Sequence, residues 1–279
     1  TALPYFLERL RLLLKKQRVQ RVEPRGEIKN YYGDRIRSGV HFSPDSFSLF
    51  DRQTQMGLYW TEDAQTLPYY ERSSPLRMIL SWWLKDLGYQ YVHAAAVGTE
   101  HQGALLVGAG GSGKSMAALA CVDSSLQYLS DDYCAIAVDP VPQIYSLYNS
   151  AKLWRAADIA RLTVLTPLFD TSASNAEKHI AFLTQLGRDV LRKTVPARTV
   201  LLVRHVSQPQ TTYRPIASGV VLKGLLPWTL LQLPNAGGET AQLLKRFLQP
   251  LPCFELLTGT DLSQIPTTIQ SIFSTLSRS

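Results

Sequence analysis

The sequence predicts an α/β protein built around one sheet over residues 75 to 279, preceded by a small, mainly β region over residues 1 to 74. Three observations carry that expectation. From Ser74 onward, apolar runs of strand length alternate with stretches of helical period. Between one such run, Ala104 to Val107, and a helical stretch lies a glycine-rich loop that reads GAGGSGKS from Gly108 to Ser115. The segment from Val19 to Trp60 instead breaks into short β-like pieces separated by turn formers such as Ser43-Pro44-Asp45-Ser46, the pattern of a small antiparallel sheet.

Taken in order, residues 3 to 18 place Leu3, Phe6, Leu7, Leu10, Leu13 and Leu14 at helical spacing beside basic residues such as Arg9 and Lys16. A basic amphipathic helix of this kind more often packs on its own domain than on a membrane or an acidic partner. The β-like pieces are Ile28 to Tyr32, Gly39 to Phe42, Phe47 to Phe50 and Gly57 to Tyr59, and polar Thr61 to Ser73 marks the boundary. Ser74 as N-cap and Pro75 as first residue start a helix with one apolar face from Leu76 to Leu87, and Gly88 stops it. Its two tryptophans are expected to bury against the large sheet. Tyr91 to Val97 and Ala104 to Val107 read as paired strands entering the loop, and a short helix follows it. Further strands are expected at Tyr128 to Val138, Ile144 to Tyr148, Thr199 to Val203 and Cys253 to Leu257. Helices are expected at Ala156 to Leu165, Asn175 to Leu186, Glu239 to Leu248 and Ser263 to Leu276.

Composition narrows the partners. The 279 residues are 45% hydrophobic and 18% charged, ordinary for a globular chain with a proper core. Their net charge of +7 suits ligands that carry phosphates or carboxylates. No zinc-finger or RNP-type pattern accompanies the charge, so nucleic acid is not an expected partner. Cys121, Cys134 and Cys253 form no C-x-x-C pair, which argues against a disulfide framework or a zinc site and for a reducing cytoplasm. No apolar run reaches membrane-spanning length and no signal-peptide pattern is present, so no membrane role is expected.

The loop carries the chemistry. It fits G-x-x-x-x-G-K-[ST], with Gly108, Gly113, Lys114 and Ser115 at the fixed positions. Backbone N–H groups of Ala109, Gly110, Gly111, Ser112 and Met116 complete an anion cradle. Lys114 is expected to reach the β- and γ-phosphates of ATP, and the Ser115 hydroxyl to coordinate Mg²⁺. Only 17 residues on from Lys114 comes Asp131, followed by Asp132. One carboxylate of such a pair can hold the metal while the other takes the proton of an attacking hydroxyl. Neighbours on a regular strand point to opposite faces, so both reach one site only at a strand end or bulge.

His93 with the alanines after it, then GAGGSGKS, then Leu129-Ser130-Asp131-Asp132, together resemble the HPr kinase/phosphorylase family over roughly residues 91 to 138. The chain looks most like the shorter HPr-kinase-like proteins associated with lasso-peptide and other modified-peptide biosynthesis. The resemblance implies a P-loop kinase domain of the HPr kinase/PEP-carboxykinase-like type. It implies Asp132 as general base, Asp131 with Ser115 on Mg²⁺, His93 supporting the acidic pair, and Arg198, in Pro196-Ala197-Arg198, stabilising the transferring phosphoryl group, with Arg192 or Lys193 as substitutes. It also implies a homo-oligomer of unspecified order. The family's L-E-I-R-G segment has no counterpart: the comparable region reads Asn149-Ser150-Ala151-Lys152-Leu153-Trp154, so the HPr protein, phosphorolysis and a hexamer are not carried over. Lys152 and Arg155 there suit a ligand contact or solvated surface charge equally.

The expected activity is therefore ATP- and Mg²⁺-dependent phosphorylation of a serine on a peptide or protein, for which the resemblance suggests a ribosomal precursor peptide. Two other readings stay open, a small-metabolite hydroxyl kinase and a regulatory ATPase or nucleotide switch. A GTPase and an ABC-type ATPase are disfavoured, since neither N-K-x-D nor L-S-G-G-Q occurs.

Overall fold

The computed structural model describes residues 22–23, 26–29, 31–42, 45–170, 177–187, 189–232 and 237–278, and the helix expected over 3 to 18 lies outside them. Strands β1 (Ile36–Phe42), β2 (Asp45–Asp51) and β3 (Met56–Thr61) form an antiparallel meander. One cluster gathers Ile28, Val40 and Phe47 with Leu49 and Trp60, and another gathers Phe50 with residues of a following helix. Of the expected strand Ile28 to Tyr32, the described residues 28, 29, 31 and 32 form no continuous strand. Their pairing stops at isolated bridges, because the chain turns on Gly26 (φ +96°) and again where Gly33 N–H donates to the Ile36 carbonyl.

Helix α1 (Tyr69–Ser73) precedes α2 (Arg77–Asp86), so Ser74 closes one helix rather than opening the next. Pro75 sits in the connection, where its missing N–H cannot prolong α1. On α2, Trp82 packs with Phe50, Met78 and Ile79, against the meander and not against the large sheet as expected. The large sheet instead receives Leu84, beside Tyr91, Tyr133 and Ala135, while Trp83 stays 39% exposed. The helix is thus buried on two sides by two different sheets.

The large mixed sheet runs β4 (Gln90–Val92), β8 (Cys134–Ala137), β9 (Gln143–Ser146), β12 (Thr194–His205), β6 (Gly103–Val107), β5 (Ala95–Gly98), β7 (Gln127–Ser130). Strand β14 (Cys253–Thr258) lies parallel to β12, and β13 (Thr212–Pro215) pairs antiparallel with β14. Helices α3 (Lys114–Ala120) and α7 (Gln264–Leu276) bury Leu119, Ile269 and Phe273 on one face. On the other, α5 (Ser218–Gln232) and α6 (Gly238–Leu248) bury Val221, Leu225, Leu244 and Phe247. The sequence pattern missed α5 because its apolar residues spread around the whole helix and Pro227 lies inside it.

Two elements depart from expectation in ways that shape the site. The expected strands Tyr91 to Val97 and Tyr128 to Val138 are each broken, at His93-Ala94 and at Asp131-Asp132-Tyr133. The halves pair with each other on both sides of the breaks, β4 with β8 and β5 with β7, so the two interruptions face one another. The expected helix Asn175 to Leu186 is, within the described residues, strand β11 (His179–Phe182) and a 3-10 turn at Leu183–Leu186. Its apolar spacing mimics a helix, but β10 (Ser150–Leu153) takes its backbone bonds and buries Ile180 and Ala181. Helix α4 (Ala156–Ala160) is shorter than expected, a 3-10 turn at Thr166–Leu168 following it. Among the described residues no helix is long and apolar enough to cross a membrane.

Candidate active site

All five residues of β6 are buried, so the loop that follows leaves the middle of the sheet. Positive φ angles call for glycine at three of its positions, Gly108, Gly111 and Gly113. Gly108 has φ +147°, and a Cβ there would stand 2.7 Å from Ser112 Oγ and 3.0 Å from the Val203 carbonyl oxygen. Gly113 has φ +100° just before α3 begins. Lys114, 6% exposed, folds back so that its ammonium donates to the carbonyls of Gly108 (2.8 Å) and Ala109 (3.0 Å). Burial lowers its pKa, against the opposing charges of Asp132 and Asp131.

The strand breaks carry the acidic pair. Ser130 ends β7 and its hydroxyl donates to the Tyr133 carbonyl at 2.7 Å, a side-chain bond that competes with the ladder and bends the chain. Asp131 is 2% exposed. Its Oδ2 accepts the Lys152 backbone N–H at 2.9 Å, while Oδ1 has no hydrogen-bond partner. Burial, then the charge of Asp132, pushes the Asp131 carboxyl upward, while the neighbouring Ser115 hydroxyl favours its charged form. A buried carboxylate oxygen left without a partner costs free energy unless something occupies it. Beside a serine hydroxyl it fits Mg²⁺, which commonly takes one or two carboxylates and completes its shell with phosphate and water oxygens. Among the described residues no group of three or more His, Cys, Asp or Glu forms a metal cage.

Asp132 keeps 21% of its side chain exposed and is held from two sides. His93 Nε2 lies 2.7 Å from Oδ1, and the Lys152 ammonium donates to Oδ2 at 2.5 Å. Burial alone would raise this carboxyl, but Lys152 and then His93 outweigh it and hold the group well below the usual carboxylate range. An ionised carboxylate only accepts, so Nε2 carries the proton of the shared bond. The break between β4 and β5 is what aims His93 across at Asp132.

Lys152 is the residue that sequence reasoning left undecided. It is 3% exposed, on β10, with Asp132 as its counter-ion, whereas Arg155 is 77% exposed and pairs with Asp158 at 2.8 Å. Among the described residues the strand that buries Lys152 pairs with β11 alone, which the period had assigned to a helix, so no local signal marked it.

Arg198 is a correction. It is exposed and occupies the bulge between Ala197 and Thr199, level with the start of β6 at Gly103. The loop follows Val107, level with Leu202, several residues further along at about 3.3 Å each, which is beyond an arginine's reach. Nor do the substitutes serve: Arg192 pairs with Glu100 at 3.1 Å, in the turn between β5 and β6 at the end of β6 away from the loop, and Lys193 is its chain neighbour. Parallel pairing puts the other end of β12, at His205, beside the loop.

Gly110 to Met116, His93, Asp132 and Lys152 line one cleft of about 810 Å³. From there it extends on one side to Tyr69, Trp154 and Lys178 and on the other to His205, Thr258 and Ile265.

No family model matches the chain, and no curated protein is similar to it. Among solved structures, that of the HPr(Ser) kinase/phosphatase from Coxiella burnetii aligns at 14% identity, over 67% of this chain and 99% of that one, with a TM-score of 0.37. A likeness of that depth adds nothing to the geometry above.

Proposed function

We propose that the chain is a kinase that uses ATP and Mg²⁺ to transfer the γ-phosphoryl group to a serine hydroxyl of a peptide or protein. The observation that carries this reading is the gathering, in one cleft, of the loop lysine, Ser115 and an Asp132 held by His93 and Lys152, with the buried carboxylate of Asp131 next to Ser115 behind its wall.

The residues divide the work. Backbone amides from Gly108 to Met116 cradle the triphosphate, and Lys114 exchanges two loop carbonyls for β- and γ-oxygens. Ser115 and Asp131 would hold Mg²⁺, which when bound supplies charge neutralisation to the phosphates. Asp132 receives the serine proton as the serine oxygen bonds to the γ-phosphorus and the bridging bond to ADP breaks. With the Lys152 ammonium and the His93 N–H both on its oxygens, Asp132 is a weak base. A shift of the Lys152 ammonium toward a phosphate oxygen restores its basicity at the moment a hydroxyl arrives.

Asp132→Asn tests the assignment. Binding of a non-hydrolysable ATP analogue, measured by calorimetry, is retained, while transfer to serine peptides, followed by mass spectrometry, falls about 10²–10⁴-fold. Transfer near the wild-type rate would remove Asp132 from the chemistry. Phosphate released to water whatever acceptor is offered would favour the ATPase reading instead.

A further inference from the structure

Strand order divides the cleft in two. At the loop end of the sheet, β12 and β14 lie to one side of β6, and β5 and β7 lie to the other. Thr258 and His205 therefore bound one half, and His93 and Asp132 the other. A triphosphate on the loop with its terminal phosphate at Asp131 and Asp132 directs its nucleoside toward the Thr258 half. The remaining half must admit the acceptor.

That half contains a shelf the chemistry above does not use. Trp154 is 54% exposed and meets Tyr69 edge-on, with ring centroids 5.8 Å apart at 64°. The Lys178 ammonium stands over both rings, 5.5 Å from Trp154 and 5.9 Å from Tyr69. The other cations of this half have counter-ions: Arg77 has buried Glu71 at 2.6 Å, Arg155 has Asp158 and Lys152 has Asp132. The carboxylates that hold these cations are not shared with Lys178.

We infer that the Tyr69–Trp154–Lys178 shelf is the acceptor subsite and takes a peptide whose serine is flanked by an acidic residue. The inference rests on the kinase reading. Two amphipathic rings cover peptide surface at low entropic cost, and the cation held above them selects a carboxylate. The net charge of +7 steers the same class of ligand toward the chain.

Serine peptides that differ only in a flanking Glu, Gln or Lys provide the probe, each assayed for phosphoryl transfer with Mg²⁺ and ATP. The wild type favours the Glu peptide, and Lys178→Glu transfers that preference to the Lys peptide, each by roughly two- to fivefold as expected for an exposed ion pair. Trp154→Ala raises the peptide KM and leaves the KM for ATP in place. A change in the KM for ATP with peptide choice unaltered would assign Lys178 to the nucleotide and overturn the subsite. Calorimetry of the same peptides on the protein loaded with a non-hydrolysable ATP analogue separates the two levels. Glu-selective binding that depends on Lys178, without transfer, keeps the shelf and sinks the kinase reading; absence of binding by all three peptides sinks the shelf.

Discussion

In Asp132 three influences meet: burial, which favours the neutral acid, and the charge of Lys152 and the hydrogen bond of His93, which favour the carboxylate and prevail. Its pKa in the folded protein is depressed, so the group stays ionised through the neutral and mildly acidic range. Replacing Lys152 by methionine removes the larger of the two lowering influences and leaves burial less opposed. The pKa then rises, and the acid limb of the pH profile of kcat/KM moves to higher pH by about 1–3 units. A limb that stays in place would mean that Asp132 does not govern it. Asp131 is legible as part of a pair from two letters of sequence, yet what distinguishes it from Asp132 is not. One carboxylate is walled in with a partnerless oxygen and the other reaches a lysine and a histidine, and these neighbours come from β10 and from the β4–β5 break.

At the scale of elements, the long strands named by pattern are real in place and wrong in continuity. An apolar run specifies strand, but an interruption at His93-Ala94 leaves no trace when the residues at the break are themselves small or buried. Period also misled at residues 177 to 186, where Ile180, Leu183 and Leu186 fit a helix turn while the backbone bonds go to β10. The opposite case is α2, whose apolar face is plain in sequence but whose partner is not. Because Trp82 is 2% exposed against the meander, Trp82→Ala costs about 3–5 kcal/mol in urea unfolding. A loss below about 1 kcal/mol would mean that the meander and α2 do not stabilise each other.

For the whole molecule, the cleft predicts ligand-linked stability. A ligand that binds only the folded chain adds about 2.7 kcal/mol at a hundred times its Kd, so Mg²⁺ with ATP raises the melting temperature measurably. Gly108→Ala abolishes that rise, since a Cβ at this φ meets Ser112 and the Val203 carbonyl. A variant that keeps the full shift would place the nucleotide elsewhere.

The amino-acid sequence by itself determined the loop with its lysine and serine, the early acidic pair, and the α/β alternation, because each is written in local spacing and in residue types that few other backbones accept. Tertiary structure alone decided that Lys152 is buried as the counter-ion of Asp132, that His93 reaches across a strand break, and that Arg198 sits in a bulge level with the start of β6, away from the loop. Those outcomes depend on which strands pair and in what register. Pairing is set by the sum of many non-local contacts, and no window of neighbouring residues contains it.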